Sequence, residues 1–196
     1  MELTIKRYED LSLDELYEIL RTSAAVFVVE QQCPYQDLDC RDRQAWHVFY
    51  HDEHGIAAYL RVIDAGVQCP SVAIGRVITT RRGKGFGLKI LQEGIRVAEE
   101  KMSATSIEIE AQVYAKGFYE KVGFRQTSEE FLEDGTPHIK MTREPEPYSL
   151  FCQSIRVEFS ISLILPLYSL NIAILLISIL RCLLMSRNSD SRSIPT

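Results

Sequence analysis

The chain has no Cys-x-x-Cys pair, no apolar run near its N-terminus, no basic excess and no Lys-Ser/Thr after its glycine-rich stretch. Each absence removes a class of function. The five cysteines (33, 40, 69, 152 and 182) are odd in number and show no metal-ligand spacing, so neither a zinc site nor a disulfide framework is expected. The thiols are then free in a reducing compartment. Without an N-terminal apolar region there is no secretory signal, and the domain is expected in the cytoplasm. The net charge of −5 divides unevenly. Residues 1–147 hold 18 Lys/Arg against 25 Asp/Glu, whereas residues 148–196 hold four arginines against Glu158 and Asp190. An acidic domain lacks the basic face that phosphate neutralisation needs, which argues against nucleic acid as a partner.

What the sequence does carry is Arg82-Gly83-Lys84-Gly85-Phe86-Gly87, between a strand-like run (72–78) and a strongly helical one (88–102). A basic, glycine-rich turn at a helix N-terminus is suited to a pyrophosphate. Free N–H groups point outward there, the helix dipole adds positive charge, and glycines let the backbone come close. The dinucleotide fingerprint G-x-G-x-x-G fails at its last position, and a Walker loop is excluded by the missing Lys-Ser/Thr. Arg-x-x-Gly-x-Gly, met by Arg82, Gly85 and Gly87, is the form that fits.

Along the rest of the chain, Leu3–Lys6 reads as a strand, and Ser12-Leu-Asp-Glu15 as a capping box before a helix. Ala24–Val29 extends the helical pattern, and a loop covers Cys33–Gln44. Trp46–Tyr50 and Ile56–Val62 form a hairpin, and Ser106–Ala111 alternates apolar and acidic residues as a half-buried strand. Ala115–Val122 is a short helix stopped by Gly123, and Phe124 with His138–Thr142 closes the fold in a second hairpin. Leu88, Leu91, Ile95, Ala98 and Met102 share one face of the main helix as a core stripe. This order of elements predicts an α/β fold.

Four blocks resemble the ElaA-type branch of the GNAT N-acetyltransferases: Val26-Phe-Val-Val-Glu-Gln-Gln-Cys-Pro-Tyr-Gln-Asp-Leu-Asp39, Ile74-Gly-Arg-Val-Ile78, Phe118-Tyr-Glu-Lys-Val-Gly-Phe124 and Glu133-Asp-Gly-Thr-Pro-His-Ile139. With the glycine loop they cover residues 3–143. The resemblance implies the GNAT fold, a mixed, mostly antiparallel sheet flanked by helices and splayed between strands 4 and 5, where the pantetheine arm inserts. It implies acetyl-CoA as cosubstrate and direct transfer of the acetyl group to a primary amine, on a small molecule or a peptide. Val77, Ile78, Thr79 and the loop from Arg82 through Gly83, Lys84, Gly85, Phe86 and Gly87 to Leu88 then bind the coenzyme.

A backbone N–H before the loop would polarise the thioester oxygen, with Val77 and Thr79 both candidates, and Tyr119 matches the general acid that protonates the departing thiolate. For the amine's proton, His47, Glu110, Glu30 and His138 are candidates beside an ordered water. Glu30, Gln112, Tyr114 and His138 are expected around the acceptor. Two departures from the family pattern stand out: the turn before Arg82 is shorter by about two residues, and Ser23 replaces an arginine. The alternatives are a regulatory domain that binds an acyl-CoA without turnover and a membrane-tethered domain of this family. His51 and His54 sit in a turn with no third metal ligand, Cys33 abuts Pro34 with no paired histidine, and no metal site is expected.

Nothing after about residue 147 belongs to this pattern. Residues 161–180 are an uncharged run long enough to span a bilayer, interrupted by Pro166 and Asn171, so 160–180 is a candidate membrane contact. Three readings stay open for residues 148–196: a tail anchor, an extension foreign to the domain, or a helix covering the core. The oligomeric state is open as well.

Overall fold

The structure is a computed structural model and describes residues 1–32 and 36–144. Cys33 and the extension, with its candidate span, lie outside the described residues. Among the described residues no helix is long and apolar enough to cross a membrane.

Strand β1 (Glu2–Arg7) leads into helix α1 (Leu13–Ser23), which Ser12 and Glu15 start as a reciprocal cap. The Glu15 N–H donates to Ser12 Oγ at 3.1 Å, and the Ser12 N–H donates to the Glu15 carboxylate at 2.7 Å. The helix then widens into a π-helical segment, Ala24–Glu30, in which the Gln31 N–H reaches back to the Val26 carbonyl. Strands β2 (Ala45–Asp52) and β3 (Gly55–Ile63) form the first hairpin. Next come β4 (Val72–Thr79), helix α2 (Phe86–Met102) and β5 (Ile107–Gln112). Helix α3 (Lys116–Glu120) precedes three short or closing strands, β6 (Arg125–Gln126), β7 (Phe131–Glu133) and β8 (Thr136–Arg143).

One sheet runs in the order β1-β2-β3-β4-β5-β8-β6, with β7 also on β8. Every pairing is antiparallel except β4 with β5. That parallel pair touches only at Val72↔Ile107 and Ala73↔Glu108, so the two strands part towards their C-terminal ends. The predicted mixed sheet and its splay are therefore present.

Helix α2 covers one face of the sheet through Ile90, Leu91, Gly94, Ile95, Val97 and Ala98. Of the predicted stripe, Leu91, Ile95 and Ala98 are buried, while Leu88 and Met102 are half-buried at its ends. Gly94 sets the spacing: a Cβ there would lie 2.7 Å from Leu60 Cδ2, so only a bare backbone fits against β3. The register of β3 on β4 slips from Tyr59↔Ile78 to Arg61↔Gly75, which places Arg76 and Val77 together opposite Leu60 as a β-bulge.

Candidate active site

The loop between β4 and α2 is anchored on one side and bare on the other. The Thr80 N–H donates to the Ala57 carbonyl at 3.0 Å, and its hydroxyl donates to that of Ile56 at 2.7 Å. Arg81 grips Asp52 of the first hairpin with both guanidinium nitrogens, at 2.6 and 2.5 Å. Thr80 and Arg81 together seat the turn on the first hairpin. Beyond it Gly83 and Gly85 adopt φ values of +75° and +76°, conformations a side chain disfavours. Gly85 caps α2 without any side-chain acceptor, and the amides of Gly85 through Leu88 find no hydrogen-bond acceptor among the described residues. An exposed row of unsatisfied N–H groups at a helix N-terminus is an anion site. Arg82 and Lys84 are exposed beside it. Arg82 pairs with Glu30 at the end of the π-helical segment. Glu30, expected near the acceptor, is thus drawn to the donor loop.

Where β4 and β5 part, a cavity of about 340 Å3 opens, lined among others by Val77, Glu110, Gln112, Tyr114, Tyr119 and His138. The structure brings these six together from two strands, a turn, a short helix and the closing strand. Arg76, at the bulge, has φ of +54°, a strained value for a side chain of this size. Its guanidinium is held by Asp37 at 3.0 Å and lies 5.1 Å above the Phe27 ring. The hydroxyl of Ser23 also reaches Asp37, at 3.2 Å, so this departure from the family pattern supports the same loop. The Thr80 N–H points to β3, so strand alternation turns the Thr79 N–H towards the gap. Val77 lines the cavity itself. Ile78, grouped with the coenzyme contacts in the sequence, instead buries its side chain beside Ile19, Phe49 and Tyr59.

Tyr119 sits on α3 with its ring edge-on to Phe118 and Phe124, at 5.1 and 6.1 Å. Its hydroxyl has no hydrogen-bond partner among the described residues, so it is not a core tyrosine tied to backbone. Burial, with a smaller effect of Tyr114, pushes the phenol up to about 12. It stays protonated at neutral pH. Glu110 accepts from Gln68 at 2.8 Å and lies 3.5 Å from Lys140. Gln112 donates to Gln31 at 3.4 Å, and Tyr114 stands at the mouth, 80 % exposed. His138 holds its Nδ1 2.8 Å from the Thr136 carbonyl.

His47 corrects an expectation. It is wholly buried, with Nδ1 at 3.1 Å from the Tyr59 hydroxyl and Nε2 at 3.0 Å from the Asp42 carbonyl. Both nitrogens are occupied, and burial lowers its pKa. It does not line the cavity, and a proton acceptor needs a free lone pair facing its substrate. The ring strengthens the wall behind the cleft. His51 and His54 do not line it either; His51 bonds Thr4 at 3.0 Å.

A buried ionic cluster escaped the sequence reading. Arg61, 2 % exposed, bonds Asp39 and also Asp42 at 2.8 Å, and forms part of the cavity lining with Asp39 and Arg41. Burial works against ionising Asp39, but the bonds and charge of Arg61 outweigh it and hold the carboxyl below its ordinary range. A lone arginine inside the apolar run 56–62 was the available signal, because a buried charge requires a partner.

A family model for the acetyltransferase (GNAT) domain matches residues 9–145. Protein ElaA of Escherichia coli is 34% identical over 141 residues, spanning 70% of this chain and 92% of that protein. A UPF0039 protein of Schizosaccharomyces pombe is 34% identical over 148 residues, covering 74% and 97%. Among solved structures, an acyl-CoA N-acyltransferase from Pseudomonas aeruginosa superposes with a TM-score of 0.69 at 35% identity, over 73% of this chain and 99% of that one. The crystal structure of Escherichia coli ElaA gives 0.69 at 33% identity, with the same coverage.

Proposed function

Because the chain belongs to the GNAT acetyltransferase family, its cleft is that of an N-acyltransferase using an acyl-coenzyme A, and we propose that the acyl group is acetyl and the acceptor a primary amine. The single observation that carries this reading is the row of open amides at Gly85–Leu88 leading to a cavity in which Tyr119 presents an unpartnered hydroxyl.

In this reading the amides and Lys84 hold the diphosphate, and Arg82 exchanges Glu30 for a phosphate oxygen. The pantetheine arm enters between β4 and β5 and supplies the pairing that the parted strands lack. The Val77 amide is assigned to the thioester oxygen, because Val77 lines the cavity at the bulge; one such donor is worth about 3–4 kcal/mol. The neutral amine forms a bond to the carbonyl carbon and the C–S bond breaks. Tyr119 gives its proton to the sulfur and recovers one from the nitrogen. No covalent enzyme intermediate is required. Glu133 and Asp134, at the end of the lining that His138 shares, are the acidic groups placed to meet an amine.

The test uses the full chain. Acetyl-CoA should raise the melting temperature, and amines such as cadaverine or a lysine-containing tripeptide should release free thiol. Gly85→Ala should weaken coenzyme binding, since a left-handed residue there costs about 1 kcal/mol and a methyl group enters the phosphate site. Stabilisation by acetyl-CoA without thiol release from any amine would favour the binding protein over the enzyme. An absence of stabilisation would refute both.

A further inference from the structure

We propose that His138 is the cleft's proton acceptor for the incoming amine, an assignment that rests on the acyl-transfer reading above. The other candidates are already engaged. His47 has both nitrogens bonded in the core, Glu30 does not line the cavity, and Glu110 is tied between Gln68 and Lys140. His138 differs in the atom it leaves open. Its Nδ1 lies 2.8 Å from the Thr136 carbonyl, and a carbonyl can only accept. Nδ1 therefore carries the proton of the neutral ring, and the basic lone pair is on Nε2. Glu133 Oε2 is 3.9 Å from Nε2, beyond hydrogen-bond reach, and a carboxylate, which only accepts, does not occupy the lone pair.

The surroundings hold the ring in one place. Phe131 of β7 stacks obliquely at 6.2 Å, and β8 pairs His138 with Gln112 of β5. The side chain is 12% exposed and faces the cavity shared with Tyr119. The ionisable groups around that space are Glu133 on β7, Asp134 in the turn, Glu110 on β5 with Lys140 on β8, Tyr114 and Tyr119, and Asp39, Arg41, Arg61 and Arg76 elsewhere on the lining. Protons balance. The ammonium form of the acceptor gives one proton to Nε2, which passes it to solvent. The neutral nitrogen then attacks, and the second proton leaves it as Tyr119 protonates the sulfur.

Two measurements decide it. Nitrogen-15 correlation spectra of the histidines in the full chain, assigned with His138→Gln, should show the neutral ring as the Nδ1–H tautomer. The Nε2–H tautomer would overturn the proposal. In the thiol-release assay with cadaverine, His138→Gln should lower kcat/KM about a hundredfold and abolish the acid limb of its pH profile, with coenzyme binding unchanged. A retained acid limb would overturn it too. If wild-type protein releases no thiol with cadaverine or the tripeptide, the transfer reading fails by itself. The tautomer then still keeps or discards His138.

Discussion

Two side chains of similar chemistry receive opposite uses here because of what surrounds them. The Tyr59 hydroxyl is spent inside the core on His47, whereas the Tyr119 hydroxyl opens on the cavity without a partner. Replacing Tyr119 with phenylalanine removes only that oxygen. It should lower kcat about a hundredfold, as loss of a general acid does, and leave the dissociation constant for coenzyme A unchanged in a calorimetric titration. His47 yields a stability prediction. Its folded pKa lies below the unfolded value because burial disfavours the charged ring. The unfolded chain then binds the extra proton first. The stability contributed by neutral His47 is whole above the ordinary imidazole pKa and is lost as pH falls through and below it. Urea unfolding at successive pH values should show this loss, and His47→Gln should flatten it.

Between residues and fold, Asp37, Asp39 and Asp42, just before β2, are tied to the sheet by ion pairs. Arg61 on β3 collects Asp39 and Asp42, Arg76 at the bulge collects Asp37, and the cavity wall rests on both. Removing one member of such a buried group leaves charges without a partner. Arg61→Met should therefore cost about 3 kcal/mol or more, read as a lower denaturation midpoint, although methionine adds apolar surface. A comparable loss in Asp39→Asn is expected to be smaller, since Asp42 stays with Arg61.

For the molecule as a whole, the described residues contain the sheet, the donor loop and the cavity. A chain ending at residue 147 should accordingly fold and bind coenzyme A with the affinity of the full chain. Titration of both forms by calorimetry checks this, and a folded but non-binding truncation would contradict it.

Local patterns sufficed wherever the cause was local. The capping box at Ser12, the period of α2, the alternation of β5 and the glycines at 83 and 85 act through neighbours in the chain, and the amino-acid order alone identified them. Tyr119 and His138 were singled out by the resemblance of their short motifs to a family, and the structure places both on the cavity lining. Other features depend on partners far apart in sequence. His47 and Tyr59 meet because β2 lies on β3, Arg82 finds Glu30 across 52 positions, and Arg61 meets Asp39 and Asp42 across the cavity wall. The bulge at Arg76, the assignment of His47 to the core and the lone pair left to His138 are consequences of those meetings. Burial and hydrogen-bond occupancy arise from packing, so only the tertiary structure could decide them.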